Sequence, residues 1–223
     1  MVAKTDCIIA VFAKAPRPGE VKTRLIPALG AEGAATLQSR LLGHAVDTVR
    51  ASGLGPSELW CSPDTGDPVL QKYAARAGAT LHDQGGGDLG ERMARAFTAT
   101  LNRAKRVLLI GCDCPCLTAQ DLRDAAIALE VHDAVFTPAE DGGYALIGLR
   151  RTDARLFSDI VWSASTVMRA TRERLAMLGW RSYELSTRWD VDRPEDLDRL
   201  HRDPRLALLL RGLYVPPVKR HDE

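Results

Sequence analysis

Short apolar runs alternate along almost the whole chain with segments whose apolar positions recur every three or four residues. That alternation predicts an α/β fold, a sheet with helices on both faces. Cys7–Ala13 reads as a buried strand, and Ala31–Ser52 as a helix with Leu37, Leu41, Leu42, Ala45 and Val49 on one face. Further strands are expected over Leu59–Ser62, Thr80–His82, Arg106–Gly111, Ala134–Thr137, Tyr144–Leu149 and Trp180–Leu185, with Arg106–Gly111 at the centre. Helices are expected over Pro68–Ala77, from Asp88 through Asn102, and over Ala119–Leu129, Ser165–Leu178 and Pro194–Arg202. Start signals accompany several of them: Asp88 is placed to cap one helix, Thr118 caps another with Asp121 in its first turn, and Pro194 precedes Glu195 and Asp196. Glu140-Asp141-Gly142-Gly143 reads as a turn that needs positive φ between two strands. The pattern is that of one domain over residues 1–211, followed by a loosely held tail over 212–223 that contains Pro216 and Pro217.

Composition agrees with one sizeable core, since 45% of the 223 residues are hydrophobic. Lys and Arg number 30 against 29 Asp and Glu, so no global field draws the chain to nucleic acid or to an anionic membrane, and any anion site must be local. The longest apolar stretches, such as Val107–Ile110 and Leu206–Leu210, are far too short to span a bilayer. The N-terminus lacks a secretory pattern, and a cytoplasmic location is the default expectation. Five cysteines are an odd number, and Cys112, Cys114 and Cys116 lie too close together for a disulfide scaffold, which fits reduced thiols.

Candidate chemistry starts at Phe12–Leu25, directly after the first apolar run. Lys14, Arg17, Lys22 and Arg24 stand there on a loop whose course Pro16, Pro18 and Gly19 fix. Ligands of open α/β sheets sit outside the carboxyl ends of the strands, so a polyphosphate is the natural guest of such a loop. In an extended segment Lys22 and Arg24 would point the same way. A solvated surface turn is the competing reading of the same charges.

The central strand delivers Gly111-Cys112-Asp113-Cys114-Pro115-Cys116-Leu117-Thr118 at its carboxyl end. Asp113 there suits a hard cation such as Mg²⁺, which takes one or two carboxylates plus substrate phosphates, or it closes an Asx-turn. Asp192 is the second candidate carboxylate, although capping the following helix also accounts for it. Asp190 faces the same side if the segment is extended, and a cap needs only one of the two. The three clustered cysteines lack the second pair or nearby histidine of a zinc site. His44, His82, His132, His201 and His221 are scattered and read as surface or structural residues. Gln84–Arg92 offers glycines and a helix N-terminus as a bed for ribose, base edge or phosphate. Asp141-Gly142-Gly143-Tyr144 either lets backbone approach a ligand or is simply a hairpin turn.

Taken in order, several motifs resemble the radical-SAM/selenodomain-associated transferases, GT-A-like proteins often labelled arsenosugar biosynthesis glycosyltransferases. The motifs are Lys14–Leu25, Gln84-Gly-Gly-Gly-Asp-Leu-Gly-Glu-Arg-Met93, Gly111-Cys-Asp-Cys-Pro115, Asp141-Gly-Gly-Tyr144, Trp162-Ser163 with Thr166, and Asp190-Val-Asp192-x-Pro194-Glu195-Asp196-Leu197. The similarity covers nearly the whole chain. That family is similar in turn to nucleotidyltransferases that make molybdenum cofactor dinucleotides and phospholactate guanylyl adducts. The resemblance implies a single-domain nucleotide-diphospho-sugar transferase fold, a three-layer α/β/α sandwich with a mostly parallel mixed sheet. It implies Mg²⁺ or Mn²⁺ at Asp113 and Asp192, and phosphates contacted by Lys22 and Arg24. Ala13, Lys14, Pro16 and Gly19 would join these two in binding the nucleotide, with Gln84, Gly86, Asp88, Leu89 and Arg92 on its base and ribose side. Gly142, Gly143, Tyr144, Trp162, Ser163 and Thr166 would meet the acceptor.

The leading expectation is transfer of a nucleotidyl group from an NTP to a small phosphorylated acceptor, with pyrophosphate leaving against Lys22 and Arg24. Glycosyltransferases of this fold commonly carry Asp-x-Asp after the central strand, where this chain has Cys112-Asp113-Cys114 with one carboxylate. Glycosyl transfer from a nucleotide sugar, with Asp141 as base, is the alternative, and nucleotide binding without turnover is the third. Lys22, Arg24, Asp113 and Asp141 are the catalytic candidates. The expected partners are a nucleotide and a small-molecule acceptor, with neither nucleic acid nor membrane.

Overall fold

The computed structural model describes residues 4–162 and 164–213. Ser163 and residues 214–223, the larger part of the expected tail, lie outside the described residues. The strands are β1 (Thr5–Lys14), β2 (Ser57–Ser62), β3 (Thr80–Asp83), β4 (Ala104–Ile110), β5 (Ala134–Pro138), β6 (Tyr144–Leu149) and β7 (Ser182–Glu184). The helices are α1 (Ile26–Ser52), α2 (Pro68–Ala77), α3 (Leu89–Leu101), α4 (Ala119–Ala128), α5 (Val167–Leu178) and α6 (Pro194–Arg202), with short 3₁₀ turns at Thr23–Leu25, Ala154–Leu156 and Ala207–Leu210. The strands form one sheet in the order β3-β2-β1-β4-β6-β5-β7. Within it β6 runs antiparallel to β4 and β5, and the other described pairings are parallel.

β1 shows why the domain has three layers. Ile8 and Ala10 face one side and join Met93 and Phe97 of α3 and Met168 and Leu175 of α5. Cys7, Ile9, Val11 and Ala13 face the other and join Leu42, Val46 and Val49 of α1, Leu70 of α2 and Leu122 and Ala125 of α4. A strand buried on both faces reads as a continuous apolar run, and that is how β1 stands in the sequence. A third cluster gathers Leu25, Leu37, Leu41, Val191, Leu197, Leu200, Leu206 and Leu210, tying the start of α1 to α6 and the turn after it. Among the described residues no helix is long and apolar enough to cross a membrane.

The element boundaries differ from the expected ones where local geometry interrupts the pattern. α1 starts at Ile26 instead of Ala31, with a break at Gly30 (φ 70°, ψ 168°) that divides its first turn from the amphipathic body. β7 shrinks to Ser182–Glu184, all exposed at the sheet edge, while Trp180 and Leu185 outside it pack against the two cores. Asp88 and Thr118 cap as expected, each in a reciprocal capping box, with Glu91 and Asp121.

Gly148 in β6 sits where the sheet meets its helices. A Cβ there would lie 2.5 Å from Val135 Cγ1, 2.7 Å from Leu108 Cδ2 and 3.0 Å from Leu129 Cδ1. Gly148→Ala is therefore expected to destabilise by about 1–3 kcal/mol through overpacking. Thermal unfolding checks this: each kcal/mol lowers Tm by roughly 2–4 °C in a chain of this size.

Candidate active site

A cleft of about 620 Å³ opens across the carboxyl ends of β1 and β4, within the size range of small-molecule and cofactor pockets. Of the residues singled out in the sequence, Lys14, Lys22, Arg24, Gln84, Leu89, Asp113, Asp141, Gly143, Tyr144, Trp162 and Asp192 line it. Ala13, Pro16, Gly19, Gly86, Asp88, Arg92, Gly142 and Thr166 are not among its lining residues.

The loop after β1 is braced before it reaches the cleft. Lys14 Nζ donates to Glu20 O at 2.7 Å, and Gly19 turns at φ 83°. The segment that follows is not extended. Lys22 adopts a left-handed conformation (φ 47°, ψ 40°) and Thr23–Leu25 forms a 3₁₀ turn, so strand-like alternation does not explain why Lys22 and Arg24 share the cleft. The explanation lies in their partners. Lys22, whose side chain is only 4% exposed, lies 2.7 Å from Asp113 Oδ1 and donates to Val191 O at 2.6 Å. Arg24 pairs with Asp192.

The two carboxylates are free of the structural duties considered for them. Among the described residues the Asp113 carboxylate takes its contact from Lys22 Nζ and from no backbone N–H, so it closes no Asx-turn, and its side chain is half exposed. The cap of α6 comes from Asp196, whose Oδ2 accepts from Asp192 N (2.9 Å) and Arg193 N (2.7 Å), leaving the Asp192 carboxylate to Arg24. Val191 between them is fully buried while Asp190 and Asp192 both line the cleft, which is the alternation expected of an extended segment. Val191 N donates to Asp113 O at 2.8 Å, seating this segment against the end of β4. Asp190, not assigned a role from the sequence, is the additional cleft carboxylate. Burial pushes its carboxyl up to about 6, and the nearby charge of Asp141 adds to the shift. Its one sequence signal was the two-residue spacing from Asp192.

The flanking cysteines Cys112 and Cys114 line the same cleft, and each is held by a contact of its own. Cys112 is buried and donates to Phe12 O at 3.1 Å, and burial holds its thiol well above the usual range. Cys114 and Cys116 face each other, and Cys116 exchanges hydrogen bonds with the Trp189 backbone. The Cys114 hydrogen bond lowers the Cys116 thiol below the usual thiol range.

On the other flank, Gln84 is buried and donates to Trp60 O at 2.8 Å, knitting the ends of the strands together. Arg95 ties Gln84 O to Gly86 O, and Arg92 donates to Gly87 O at 3.0 Å, so the glycine loop is held by its own helix. Gly90 lets Trp162 into the wall of the cleft: a Cβ there would lie 2.6 Å from the indole. At the β5–β6 turn, Gly143 N donates to Asp141 Oδ1 at 2.8 Å. Gly142 (φ 91°) approaches the chain before α5 so closely that a Cβ would lie 2.1 Å from Ser165 O. Gly142→Ala is expected to lower Tm by several degrees, since it combines a positive φ with a backbone clash that costs of the order of 1–3 kcal/mol. Thermal unfolding against wild type is the check.

Among the described residues no three His, Cys, Asp or Glu gather as a metal-ligand cluster. Asp113 and Asp192 nonetheless offer hard oxygen donors, each with one oxygen engaged by a cation. That donor set fits an oxygen-seeking cation that arrives with phosphate and keeps few protein ligands, as Mg²⁺ does.

The open α/β sheet with one reversed strand has the nucleotide-diphospho-sugar transferase fold, and the cleft of paired cations and carboxylates lies at its carboxyl edge. A protein of Desulfovibrio desulfuricans G20, provisionally described as a nucleotide-diphospho-sugar transferase, is 31% identical, with a TM-score of 0.82 over 94% of this chain and 91% of that one. CMP:2-keto-3-deoxy-manno-octonic acid synthetase, solved with CTP, shares the fold at 13% identity, TM-score 0.55, over 93% of this chain and 100% of that one. Glucosyl-3-phosphoglycerate synthase of Mycobacterium tuberculosis, solved with Mn²⁺ and UDP, shares it at 13% identity, TM-score 0.54, over 92% and 79%. The chain belongs to the family described as "Uncharacterized protein conserved in bacteria (DUF2064)", whose model matches residues 45–164. No curated protein matches it.

Proposed function

We propose that this protein is a divalent-metal-dependent transferase that moves a nucleotidyl group from an NTP to a small phosphorylated acceptor, releasing pyrophosphate. The observation that carries the reading is the pairing across the cleft. Lys22 and Arg24, from one turn after β1, meet Asp113 and Asp192 beyond β4. A polyphosphate with its cation has the complementary pattern, its oxygens suited to Lys22 and Arg24 and its metal to the two carboxylates. When bound, Mg²⁺ or Mn²⁺ supplies Lewis-acid stabilisation of the phosphate oxygens. Lys22 and Arg24 neutralise charge that develops on the leaving pyrophosphate. An acceptor phosphate is already ionised and needs no general base.

Glycosyl transfer from a nucleotide sugar is the second reading, favoured by two observations. The Desulfovibrio protein carries a nucleotide-diphospho-sugar description, and Asp141 stands in the cleft with one carboxylate oxygen held by Gly143 N–H. An Asp141 so fixed could take a proton from an acceptor hydroxyl through its other oxygen. The arsenosugar label of the resembling family belongs to this reading.

Thermal-shift measurements with Mg²⁺ or Mn²⁺ separate the two. A ligand at a hundred times its Kd adds about 2.7 kcal/mol, so nucleotidyl transfer predicts a metal-dependent shift with one NTP larger than with its diphosphate. A shift selective for a nucleotide sugar overturns it. Asp141→Asn is expected to leave turnover within a few-fold if the acceptor is a phosphate, whereas glycosyl transfer predicts a rate collapse of about a hundred-fold or more. Steady-state kinetics on the variant read the difference.

A further inference from the structure

Five thiols are present, and three of them, Cys7, Cys61 and Cys112, are buried in one core cluster. Cys114 and Cys116 are only half buried, and Cys114 lines the cleft. Their sulfurs are 3.6 Å apart across Pro115, so a bond of about 2.05 Å requires an approach of roughly 1.5 Å. The turn between them is fixed at its centre, because His44 Nε2 donates to Pro115 O at 2.8 Å. Cys116 also latches the opposite segment: its thiol donates to Trp189 O at 3.3 Å, and its sulfur accepts from Trp189 N at 3.4 Å. Trp189 leads directly into Asp190 and Asp192.

We propose that Cys114 and Cys116 form a reversible disulfide modification site, whose closure withdraws the Cys116 latch from Trp189 and loosens the segment carrying Asp190 and Asp192. Glutathione disulfide is a sufficient oxidant. One protein thiolate attacks a glutathione sulfur, the glutathione S–S bond breaks, and one glutathione thiolate leaves. The second protein thiolate then attacks the protein sulfur of the mixed disulfide, forming Cys114–Cys116 and expelling the second glutathione. Two protein thiols lose two electrons and two protons, and glutathione disulfide gains them to become two glutathione thiols. The oxidised pair has no S–H to donate to Trp189 O. The ion pair of Arg188 with Asp121 and the stacking of Arg199 on Trp189 remain, so the segment loosens without detaching.

The test uses the full chain equilibrated with glutathione disulfide, alkylated and digested, then repeated after reduction. Mass spectrometry is expected to show a Cys114–Cys116 link, about 2 Da below the dithiol, that reduction reverses. Hydrogen exchange is expected to speed up at Trp189 by roughly tenfold, the loss of about one hydrogen bond. Cys116→Ser, compared with its own untreated state, should show no exchange response to the oxidant. Persistent mixed disulfide, unmodified thiols, a link to Cys112, or unchanged exchange in the linked protein overturns the proposal. None of these readouts needs a nucleotide, so they stand whether or not the proposed transfer does. The consequence for that transfer, which rests on the proposed function, is a smaller metal-dependent nucleotide shift in the oxidised protein.

Discussion

Asp113→Asn is expected to reduce metal-dependent turnover by about a hundred-fold or more, because a positioned cation contributes several kcal/mol to the transition state and each 1.36 kcal/mol is tenfold in rate. Asn keeps the shape of the side chain and can still accept a hydrogen bond from Lys22, so the substitution removes charge while sparing the packing. What it leaves behind is a buried Lys22 ammonium that still donates to Val191 O. The loss should appear in kcat and in the metal concentration needed for half activity, beside a fall in Tm from the buried lysine left without its counter-charge. Titrating Mg²⁺ and Mn²⁺ against activity in both proteins reads it. Full activity in the variant removes Asp113 from the metal role.

Lys22→Ala should weaken nucleoside triphosphate binding by roughly 10- to 150-fold, the worth of one charge-assisted hydrogen bond at about 1.5–3 kcal/mol. Monophosphate binding should change little, since the lysine is assigned to the departing phosphates. A second variant separates charge from backbone. Lys22 is left-handed at φ 47°, a conformation that glycine adopts freely and alanine does not. Lys22→Gly should lose the same triphosphate affinity as Lys22→Ala while remaining the more stable of the two. Calorimetric titration with an NTP and its monophosphate, beside thermal unfolding, gives both quantities. Equal losses for triphosphate and monophosphate would remove the leaving-group role.

Much of the architecture was legible because burial imposes a period. β1 and β4 are hidden on both faces and show as apolar runs, while α2, α3, α4 and α6 announce their starts with Pro or with capping residues that the structure uses. Legibility failed where one residue overrides a pattern. Gly30 breaks α1, and the left-handed Lys22 turns a segment that alternation suggested was extended. At the cleft, the residues that brought charge were visible, but their partners were not. Lys22 and Val191 are 169 residues apart, and nothing local in the sequence couples them. Asp192 likewise looked like a cap until Asp196 was seen to fill that role.

The cluster that joins Leu25 and Leu37 to Val191, Leu197, Leu206 and Leu210 has a bearing on how the protein is made. Ribosomes deliver the chain from its N-terminus, and the strands from β1 to β6 emerge before the segment that supplies Asp190 and Asp192. A nascent chain can assemble most of its sheet while the basic turn after β1 still lacks the wall it packs against. The cleft thus gains its Asp190 and Asp192 wall only after the strands from β1 to β6 have emerged, and a chain that stops before residue 190 lacks both carboxylates and most of the cluster that seats them.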